Sequence, residues 1–284
     1  MNLQANVRGV MRRNAAEPLA LPTSSSWWQT LNTPSSSPLL DSFERVYIIN
    51  LPERTDRYAQ IEQELASIGI PIDSDKIRIM AGQWSDSANG FTSLGAYGNF
   101  MSHLRILREA AADRLHNVWV LEDDATFRHR LRSTELQSLV ASRLAQDDWD
   151  LAYLGHCIDP DFLKPHAHEL FVPVASDLEF LWAHCYAVSA LGLPELLAYL
   201  EETLVNPPGH PRGGRMYIDG ALNMYRRQHP KATTLVSPMN LSYQRGSASS
   251  LAGRKIYDKL KLLQPLVGTV RAVRDEAWRR GVLK

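Results

Sequence analysis

The sequence predicts an α/β domain in which a mixed sheet is flanked by helices. Two kinds of segment carry this prediction. Arg45–Leu51 and Asn117–Leu121 are short runs rich in β-branched and aromatic residues, as buried strands are. Gly98–Leu115 lies between them and repeats its apolar residues with helical spacing. Polar residues follow both strands, and ligands of open α/β sheets lie outside the carboxyl ends of the strands.

The first half of the domain contains a strand, a helix, a strand, a loop and a helix. Pro52 closes the strand Arg45–Leu51, and Glu53–Ile68 then shows helical spacing up to Gly69, which is typical of a helix end. A second strand is expected at Lys76–Met80 and a polar loop at Gln83–Phe91. The helix Gly98–Leu115 leads directly into the strand Asn117–Leu121.

The second half repeats the same patterns. Three more strands are expected from apolar, β-branched runs: Trp149–Gly155, Phe180–Ser189 and Lys231–Val236. Three more helices are expected from apolar periodicity: Leu136–Leu144, Pro194–Leu200 and Gly220–Arg227.

The chain of 284 residues is expected to hold one domain between two extensions. Residues 1–43 are rich in Ser and Pro and lack a hydrophobic period, which predicts a loosely ordered extension. Residues 44–253 form the domain. Residues 254–284 carry nine Lys and Arg against three Asp and Glu, and apolar residues from Ile256 to Val267 predict a basic amphipathic helix. This helix could contact anionic lipid, or dock on the domain or a second subunit.

Composition excludes several classes of protein. The formal net charge is zero, and because residues 254–284 are basic, the middle of the chain is acidic, which argues against a nucleic-acid-binding surface there. Cys157 and Cys185 are too few for a disulfide framework. No apolar stretch is typical of a membrane span or a secretory signal. We therefore expect a cytoplasmic protein. It could also bind peripherally to the inner face of the membrane.

Three consecutive carboxylates, Glu122-Asp123-Asp124, follow the strand Asn117–Leu121. Their mutual repulsion costs free energy unless a cation lies among them. Carboxylates are hard oxygen ligands suited to Mn²⁺ or Mg²⁺, and such ions usually reach a protein together with substrate phosphates. The sequence therefore predicts a divalent metal at this strand end. A solvated acidic turn is the alternative.

Basic and polar residues near other strand and helix ends are candidate binding groups. Arg54 and Arg57 follow the first strand and could grip a phosphate or a ribose, whereas an ion pair with Asp56 is the structural alternative. Ser102 and His103 lie near a predicted helix start, where free N–H groups could hold a nucleotide or sugar hydroxyl. A hydrogen-bonded core histidine is the other interpretation of His103.

Asp219 is expected at the N-cap of the helix Gly220–Arg227, directly after the Gly- and Pro-rich loop 206–214. Capping alone would explain an Asp there. A mobile loop before a carboxylate is also how an enzyme closes over a substrate and presents a general base.

A separate loop contains several potential ligands of a transition metal: His156, Asp159, Asp161, His166 and His168. Their spacing matches no closed zinc pattern. A solvated polar loop is therefore the favoured interpretation.

The order of these motifs resembles glycosyltransferase family 25, the lipooligosaccharide and collagen galactosyltransferase-like proteins. The motifs extend over about 205 residues. They are Val46-Tyr47-Ile48-Ile49-Asn50-Leu51 with Arg54-Thr55-Asp56-Arg57, Gly95…Gly98…Ser102-His103-Leu104, Leu121-Glu122-Asp123-Asp124, Tyr153-Leu154-Gly155, Tyr186-Ala187-Val188-Ser189, Ile218-Asp219 and Pro238…Gln244…Ser247.

The resemblance implies a GT-A-type, Rossmann-like fold and inverting transfer of a sugar, galactose among the candidates, to an acceptor hydroxyl. The donor implied is a nucleotide-diphosphate sugar, with a UDP-sugar favoured. The acceptor is a glycan or glycolipid, as in lipopolysaccharide biosynthesis, and a protein hydroxylysine is also compatible.

The resemblance also implies roles for particular residues. Glu122 and Asp124 would hold Mn²⁺ or Mg²⁺ on the donor diphosphate, with Asp124 as the direct ligand, and Asp219 would be the catalytic base. The donor would be bound by Asn50, Arg54, Arg57, Ser102, His103 and Asp123.

Two residues depart from the family pattern, because the family commonly has Glu and Cys where this chain has Ala96 and Asn99. This departure implies a changed sugar specificity or a weaker activity. It keeps open a non-catalytic sugar- or nucleotide-binding protein. A second alternative is a metal-dependent nucleotide or phosphodiester hydrolase that uses the same carboxylates with His166 and His168.

Overall fold

The computed structural model describes residues 37–245 and 273–281. Nine strands are present in this part of the chain: β1 Arg45–Asn50, β2 Ile77–Ala81, β3 Asn117–Glu122, β4 Ala125–Phe127, β5 Leu151–Tyr153, β6 Val172–Val174, β7 Cys185–Ser189, β8 Thr234–Val236 and β9 Ser242–Gln244. The α-helices of residues 37–245 are α1 Pro38–Asp41, α2 Thr55–Ser67, α3 Leu94–Ala112, α4 Thr134–Leu144, α5 Pro160–Leu163, α6 Leu193–Val205 and α7 Ile218–Gln228. Two 3₁₀ turns, His129–Arg132 and Lys164–His166, complete the described ranges, and residues 273–279 form a further helix, α8.

Seven strands form one mixed sheet in the order β2-β1-β3-β7-β5-β8-β6, and β4 pairs with β9 in a second, two-stranded sheet. Strands β2, β1, β3, β5 and β8 run in one direction, whereas β7 and β6 run in the other. The predicted mixed α/β fold is therefore confirmed. The carboxyl ends of β1, β3 and β5 meet at one edge of the large sheet, which we call the carboxyl edge.

Helices cover both faces of the sheet, which explains why the central strands are continuously apolar. Along β3, Val118 and Val120 face a core shared with α3, α6 and α7. Trp119 and Leu121 face the opposite core, which is shared with α1, α2 and α4. Successive strand residues point to opposite faces, so one short strand supports both cores.

Residues just before 44, where the domain was predicted to start, already pack on the domain. Leu39 and Leu40 of α1 are buried, and so is Phe43, whose ring stacks on Trp119 with centroids 5.4 Å apart. Ser37 caps α1, since its Oγ accepts a hydrogen bond from the Leu40 N–H at 3.3 Å. The predicted boundary at residue 43 is therefore wrong, whereas residues 1–36 lie outside the described residues.

The C-terminal segment that the structure describes docks on the domain. Trp278 of α8 stacks on Tyr243 of β9 with ring centroids 5.2 Å apart. The apolar positions from Ile256 to Val267, on which the amphipathic helix was predicted, lie outside the described residues. None of the helices in the described ranges has the length and apolar character needed to cross a membrane.

The sequence missed the shortest strands and misplaced some boundaries. Strands β4, β6 and β9 each have three residues, and β6 contains Pro173. Strands β5 and β8 are equally short, but they lie within the predicted runs Trp149–Gly155 and Lys231–Val236. The predicted strand Phe180–Ser189 begins only at Cys185. Helix α3 begins at Leu94, one turn before the predicted start, because Ser93 caps it through a hydrogen bond from the Ala96 N–H at 3.0 Å.

A close contact at Gly98 ties α3 to the loop after β2. A Cβ at this position would lie 2.3 Å from the main-chain oxygen of Gln83. We expect Gly98→Ala to lower the free energy of unfolding by about 1–3 kcal/mol in urea denaturation, although Ala favours helix. Gly220→Ala is the matched control in α7, because its Cβ would meet only the flexible side chain of Met216, at 3.3 Å. Equal stabilities of the two variants would contradict the close contact.

Candidate active site

The three carboxylates form a tight turn at the carboxyl edge, between β3 and β4, which we call the acidic turn (Glu122–Asp124). Its main chain is fixed from two sides. The Asp123 N–H donates to the Ile49 carbonyl of β1 at 3.1 Å, and the Arg245 N–H donates to the Asp124 carbonyl at 2.8 Å. A turn held in this way can direct its three side chains to different partners.

Glu122 points towards α3. Its Oε1 accepts a hydrogen bond from Asn99 Nδ2 at 3.0 Å and lies 3.2 Å from Nε2 of the fully buried His103. His103 Nδ1 lies 2.9 Å from the hydroxyl of Tyr186 in β7. Although burial opposes ionisation, these hydrogen bonds hold the pKa of Glu122 below its ordinary value. Glu122, whose side chain is 13% exposed, is therefore an anion held by two side chains of one helix.

Asp123 is held by the last residue of β1 and by the first turn of α2. Asn50 Nδ2 donates to Asp123 Oδ2 at 2.8 Å, and a nitrogen of Arg57 donates to Oδ1 at 2.7 Å. Arg54 instead forms two hydrogen bonds of 2.8 Å with Asp56. This is the ion pair that was predicted as the alternative to binding a phosphate or a ribose. Arg57 thus contacts the acidic turn directly. The pKa of Arg54 is raised most by its hydrogen bonds with Asp56, and the charges of Asp123 and Asp124 help to raise it further.

Asp124 is the least satisfied of the three carboxylates. Its Oδ2 lies 3.5 Å from the Arg57 guanidinium and 3.4 Å from Gln244 Nε2. Its Oδ1 is buried and has no hydrogen-bond partner among the described residues. Burial, together with the charge of Glu122, raises the pKa of Asp124 to about 7. This oxygen therefore requires a proton or a cation.

These donors fit a divalent metal only in part. Within residues 37–245 and 273–281, no group of three or more His, Cys, Asp or Glu side chains is arranged to hold a metal ion. Mg²⁺ is commonly held by one or two carboxylates, with waters and substrate phosphates as its other ligands. The unpaired Oδ1 of Asp124 suits that role. The oxygen of Glu122 that faces α3 is already hydrogen-bonded, so a metal role for Glu122 stays a prediction.

Ser102 is used to position a loop. Its hydroxyl donates to the Gly98 carbonyl at 2.7 Å and accepts from the Gln83 N–H at 2.9 Å. Because α3 starts at Leu94, Ser102 and His103 lie about two turns inside the helix. The free N–H groups of a helix start, which motivated their prediction as binding residues, are therefore not at these positions.

Asp219 is the second residue of α7, and Tyr217 is the N-cap, so the prediction that Asp219 caps the helix is wrong. Asp219 Oδ1 accepts a hydrogen bond from the N–H of Gly220 at 2.8 Å. Asp219 is close enough to Tyr153, at the end of β5, for its charge to raise the pKa of that buried phenol, in addition to the larger effect of burial and against the charge of Arg226.

Aromatic side chains connect the two parts of the site. Tyr153 stacks on Tyr186 with ring centroids 5.8 Å apart, and Tyr186 bonds His103, which contacts Glu122. None of the hydrogen bonds in the described part of the chain joins Asp219 to the acidic turn directly. The structure thus places Asp219 and Glu122 at the two ends of this path of side chains.

No role was predicted from the sequence for Gln244 and Arg245, which the structure brings to the acidic turn. Arg245 donates from its guanidinium to the Asp123 carbonyl at 3.1 Å, beside the contact of Gln244 with Asp124. Both lie in the polar segment after Pro238, and only the order of motifs could have drawn attention to them.

The predicted histidine loop is not a metal cluster in the described structure. His156 is buried, and its Nε2 donates to the Ser237 carbonyl at 2.8 Å while Nδ1 accepts from the Ile158 N–H at 3.3 Å. His166 Nδ1 lies 2.7 Å from a carboxylate oxygen of Glu169. The solvated-loop interpretation holds for His166, whereas His156 belongs to the folded core.

His156 makes stability depend on pH. Burial lowers the pKa of its imidazole to about 4, against the ordinary 6.5, so the unfolded chain binds the proton more tightly. We expect the free energy of unfolding to fall as pH drops below 6.5 towards 4, by up to roughly 3 kcal/mol from this group. His156→Gln, which cannot titrate, should reduce this dependence in urea denaturation between pH 4.5 and 7.5. Exposed His168→Gln is the control, and equally steep profiles for all three proteins would disprove the role of His156.

The chain matches the model of the family described as "Glycosyltransferase family 25 (LPS biosynthesis protein)" over residues 43–205. Mouse procollagen galactosyltransferase 2 is 24% identical over 210 residues, which cover 67% of this chain and 31% of that protein. Xenopus laevis procollagen galactosyltransferase 1-B is 28% identical over 220 residues, covering 69% and 33%. The chain thus spans about a third of the length of these relatives. The resemblance found in the sequence motifs is confirmed.

A human relative carries a different name. "Inactive glycosyltransferase 25 family member 3" is 31% identical over 219 residues, covering 69% of this chain and 34% of that protein. Among solved structures, a CMP:2-keto-3-deoxy-manno-octonic acid synthetase complexed with CTP has a TM-score of 0.38 and 10% identity, covering 82% of this chain and 98% of that one. Similarity this low carries no information on the ligand.

Proposed function

The chain belongs to glycosyltransferase family 25, and from that premise we propose that it transfers a sugar from a nucleotide-diphosphate donor to a hydroxyl of a glycan acceptor, with a divalent metal and inversion at the sugar carbon. The observation that carries this proposal is the acidic turn at the carboxyl edge. Within the described residues, Oδ1 of Asp124 is buried and has no hydrogen-bond partner, and the Arg57 guanidinium lies 3.5 Å from the other oxygen, Oδ2.

The donor side of the proposed site is built around Asp124. Its Oδ1 would hold Mn²⁺ or Mg²⁺, which when bound supplies positive charge to stabilise the departing nucleotide diphosphate. Asp123, which is held by Asn50 and Arg57, would bind the nucleotide. The loop containing Arg54 and the helix carrying Ser102 and His103 complete the proposed donor pocket.

The acceptor side is assigned to Asp219. An inverting displacement needs a single base that takes the proton of the acceptor hydroxyl as this oxygen attacks the sugar from the face opposite the leaving group. Asp219 is half-buried at the start of α7 and separate from the metal carboxylates. A carboxylate in that position can accept the proton without competing for the cation.

Two relatives suggest the sugar, because they are named as procollagen galactosyltransferases. We therefore propose UDP-galactose as the first donor to test, and a glycan or glycolipid as the acceptor. The family description, an LPS biosynthesis protein, favours a lipid-linked saccharide. Reaction at the cytoplasmic face of a membrane would suit such an acceptor, and the basic segment 254–284 could provide peripheral contact.

A non-catalytic binding protein is the second candidate, because one relative is named inactive. A thermal-shift panel of UDP-, GDP-, CMP- and dTDP-sugars with and without Mn²⁺ identifies the donor, since ligand binding raises apparent stability by mass action. Nucleotide release is then measured with and without a panel of acceptors. Release that requires an acceptor supports the transferase, release without one supports the hydrolase, and binding without release supports the non-catalytic protein.

Asp124→Ala tests the metal role. We expect it to reduce Mn²⁺-dependent sugar transfer by about 100-fold or more, because the leaving diphosphate loses the charge held there. The circular dichroism spectrum should be unchanged. Exposed Asp148→Ala is the control and should retain full activity. Full transfer by Asp124→Ala, together with insensitivity of the native enzyme to EDTA, would remove the metal from the proposal.

Asp219→Asn tests the base. The amide keeps an oxygen for the N–H of Gly220 but cannot accept the acceptor proton, so we expect kcat to fall by about 10²–10⁴. The dissociation constant for the donor, measured by titration calorimetry, should remain as in the native protein. Exposed Asp177→Asn is the matched control. Loss of donor affinity with little change in kcat would show that Asp219 binds substrate instead.

A further inference from the structure

The C-terminal segment 273–281 packs against the small sheet that adjoins the acidic turn. Trp278 stacks on Tyr243 of β9, and the Tyr243 hydroxyl donates to the Asp275 carbonyl at 2.7 Å. Arg128, directly after β4, lies with its guanidinium 5.0 Å from the centre of the Trp278 ring and donates to the Trp278 carbonyl at 2.7 Å. The segment therefore contacts β9 and the residue that directly follows β4.

A second set of contacts anchors the same segment to α2. Arg279 forms a hydrogen-bonded ion pair with Glu64, a carboxylate whose side chain is only 7% exposed. The other oxygen of Glu64 accepts from the N–H of Phe127, the last residue of β4, at 3.1 Å. Glu64 thus joins the C-terminal segment to the strand that leaves the acidic turn.

The opposite face of β9 meets the acidic turn. Neighbouring residues in a strand point to opposite faces, so Gln244 faces away from the side on which Tyr243 holds Trp278. Gln244 contacts the Asp124 carboxylate, and the next residue, Arg245, bonds main-chain oxygens of the turn through its N–H and guanidinium. One strand therefore lies between the segment and the acidic turn.

A sheet this small requires support. Strands β4 and β9 have three residues each, and so short a pair is marginally stable without packing. Ala125 and Phe127 of β4 belong to the core that contains α2, and Ser242 of β9 forms a bridge with Gly155. The aromatic stack and the Arg279–Glu64 ion pair add packing on the side of Tyr243 in the described structure. We propose that residues 273–281 are a positioning element for the donor-diphosphate site, in which Trp278 and Arg279 hold β9 against β4 and so fix Asp124 and Arg245.

The identity of the ligand in this inference rests on the proposed function, whereas the mechanical coupling does not. A segment that only adds stability would lower the melting temperature when altered but leave kcat per folded molecule unchanged. A positioning segment changes kcat in a protein that is still folded, because displacements of about 1 Å in a catalytic group can cost 10²-fold in rate.

The test uses the full chain with Trp278→Ala, Trp278→Phe and Tyr243→Phe. Val273→Ala in the same helix is the control, because Val273 is 66% exposed. Amide hydrogen exchange is followed in peptides covering 124–128 and 242–245, which contain the hydrogen-bonded N–H groups of Phe127 and Arg245. Transfer from UDP-galactose and binding of UDP with Mn²⁺ are measured well below the melting temperature.

Trp278→Ala should accelerate exchange in these two peptides but not in β1 or β3, and should lower kcat by about ten- to a hundredfold. Trp278→Phe should restore both, since it keeps the stack, and Tyr243→Phe should have a smaller effect of the same kind. Unchanged exchange in folded Trp278→Ala would overturn the inference, as would exchange that rises throughout the sheet with normal kcat. If the native chain transfers no sugar, the proposed function is wrong. Amide hydrogen exchange in the two peptides and the affinity for UDP then still decide whether the segment and the acidic turn are coupled.

Discussion

The burial of three adjacent carboxylates at one strand end is the constraint on which the rest of the site depends. Each of these charges would be costly to bury alone, and their mutual repulsion adds to the cost. The fold separates them by giving each a different neighbour. Glu122 is bonded by α3, Asp123 by the end of β1, and Asp124 by β9. Three elements that are distant in sequence are therefore held at the carboxyl edge by one short turn.

The sequence was informative wherever a local pattern sufficed. Continuous apolar runs located β1 and β3, and the carboxylates after β3 located the acidic turn, because a strand end and three charges are read from neighbouring residues. The partners of those charges could not be predicted in the same way. The Arg57–Asp123 bond spans 66 positions and the Arg245–Asp123 bond spans 122, so both depend on how the sheet is ordered.

The errors have a similar cause. Leu39, Leu40 and Phe43 are surrounded by Ser and Pro in the sequence, and only the tertiary contact of Phe43 with Trp119 shows that they belong to the core. Asp219 is predicted at an N-cap because the helical pattern begins at Gly220, and Asp is common at that position. The helix instead starts two residues before Gly220, at Ile218, and its N-cap side chain makes no capping hydrogen bond. Composition and propensity are averages, and tertiary packing overrides them at these particular positions.

The proposed site is divided along the chain into a donor side and a later part that contains Asp219. The range matched by the family model, residues 43–205, contains the acidic turn, the loop after β1 and α3, which form the proposed donor side. Helix α7 with Asp219, and β9 with its C-terminal support, follow that range. All nucleotide-diphosphate donors carry the same diphosphate, which is the group that the acidic turn and Arg57 are proposed to hold together with a metal. Acceptors differ in shape, and Asp219, which is proposed to meet them, lies on α7 outside the matched range. Strand β9 also follows that range, but its contact with Asp124 ties it to the donor side.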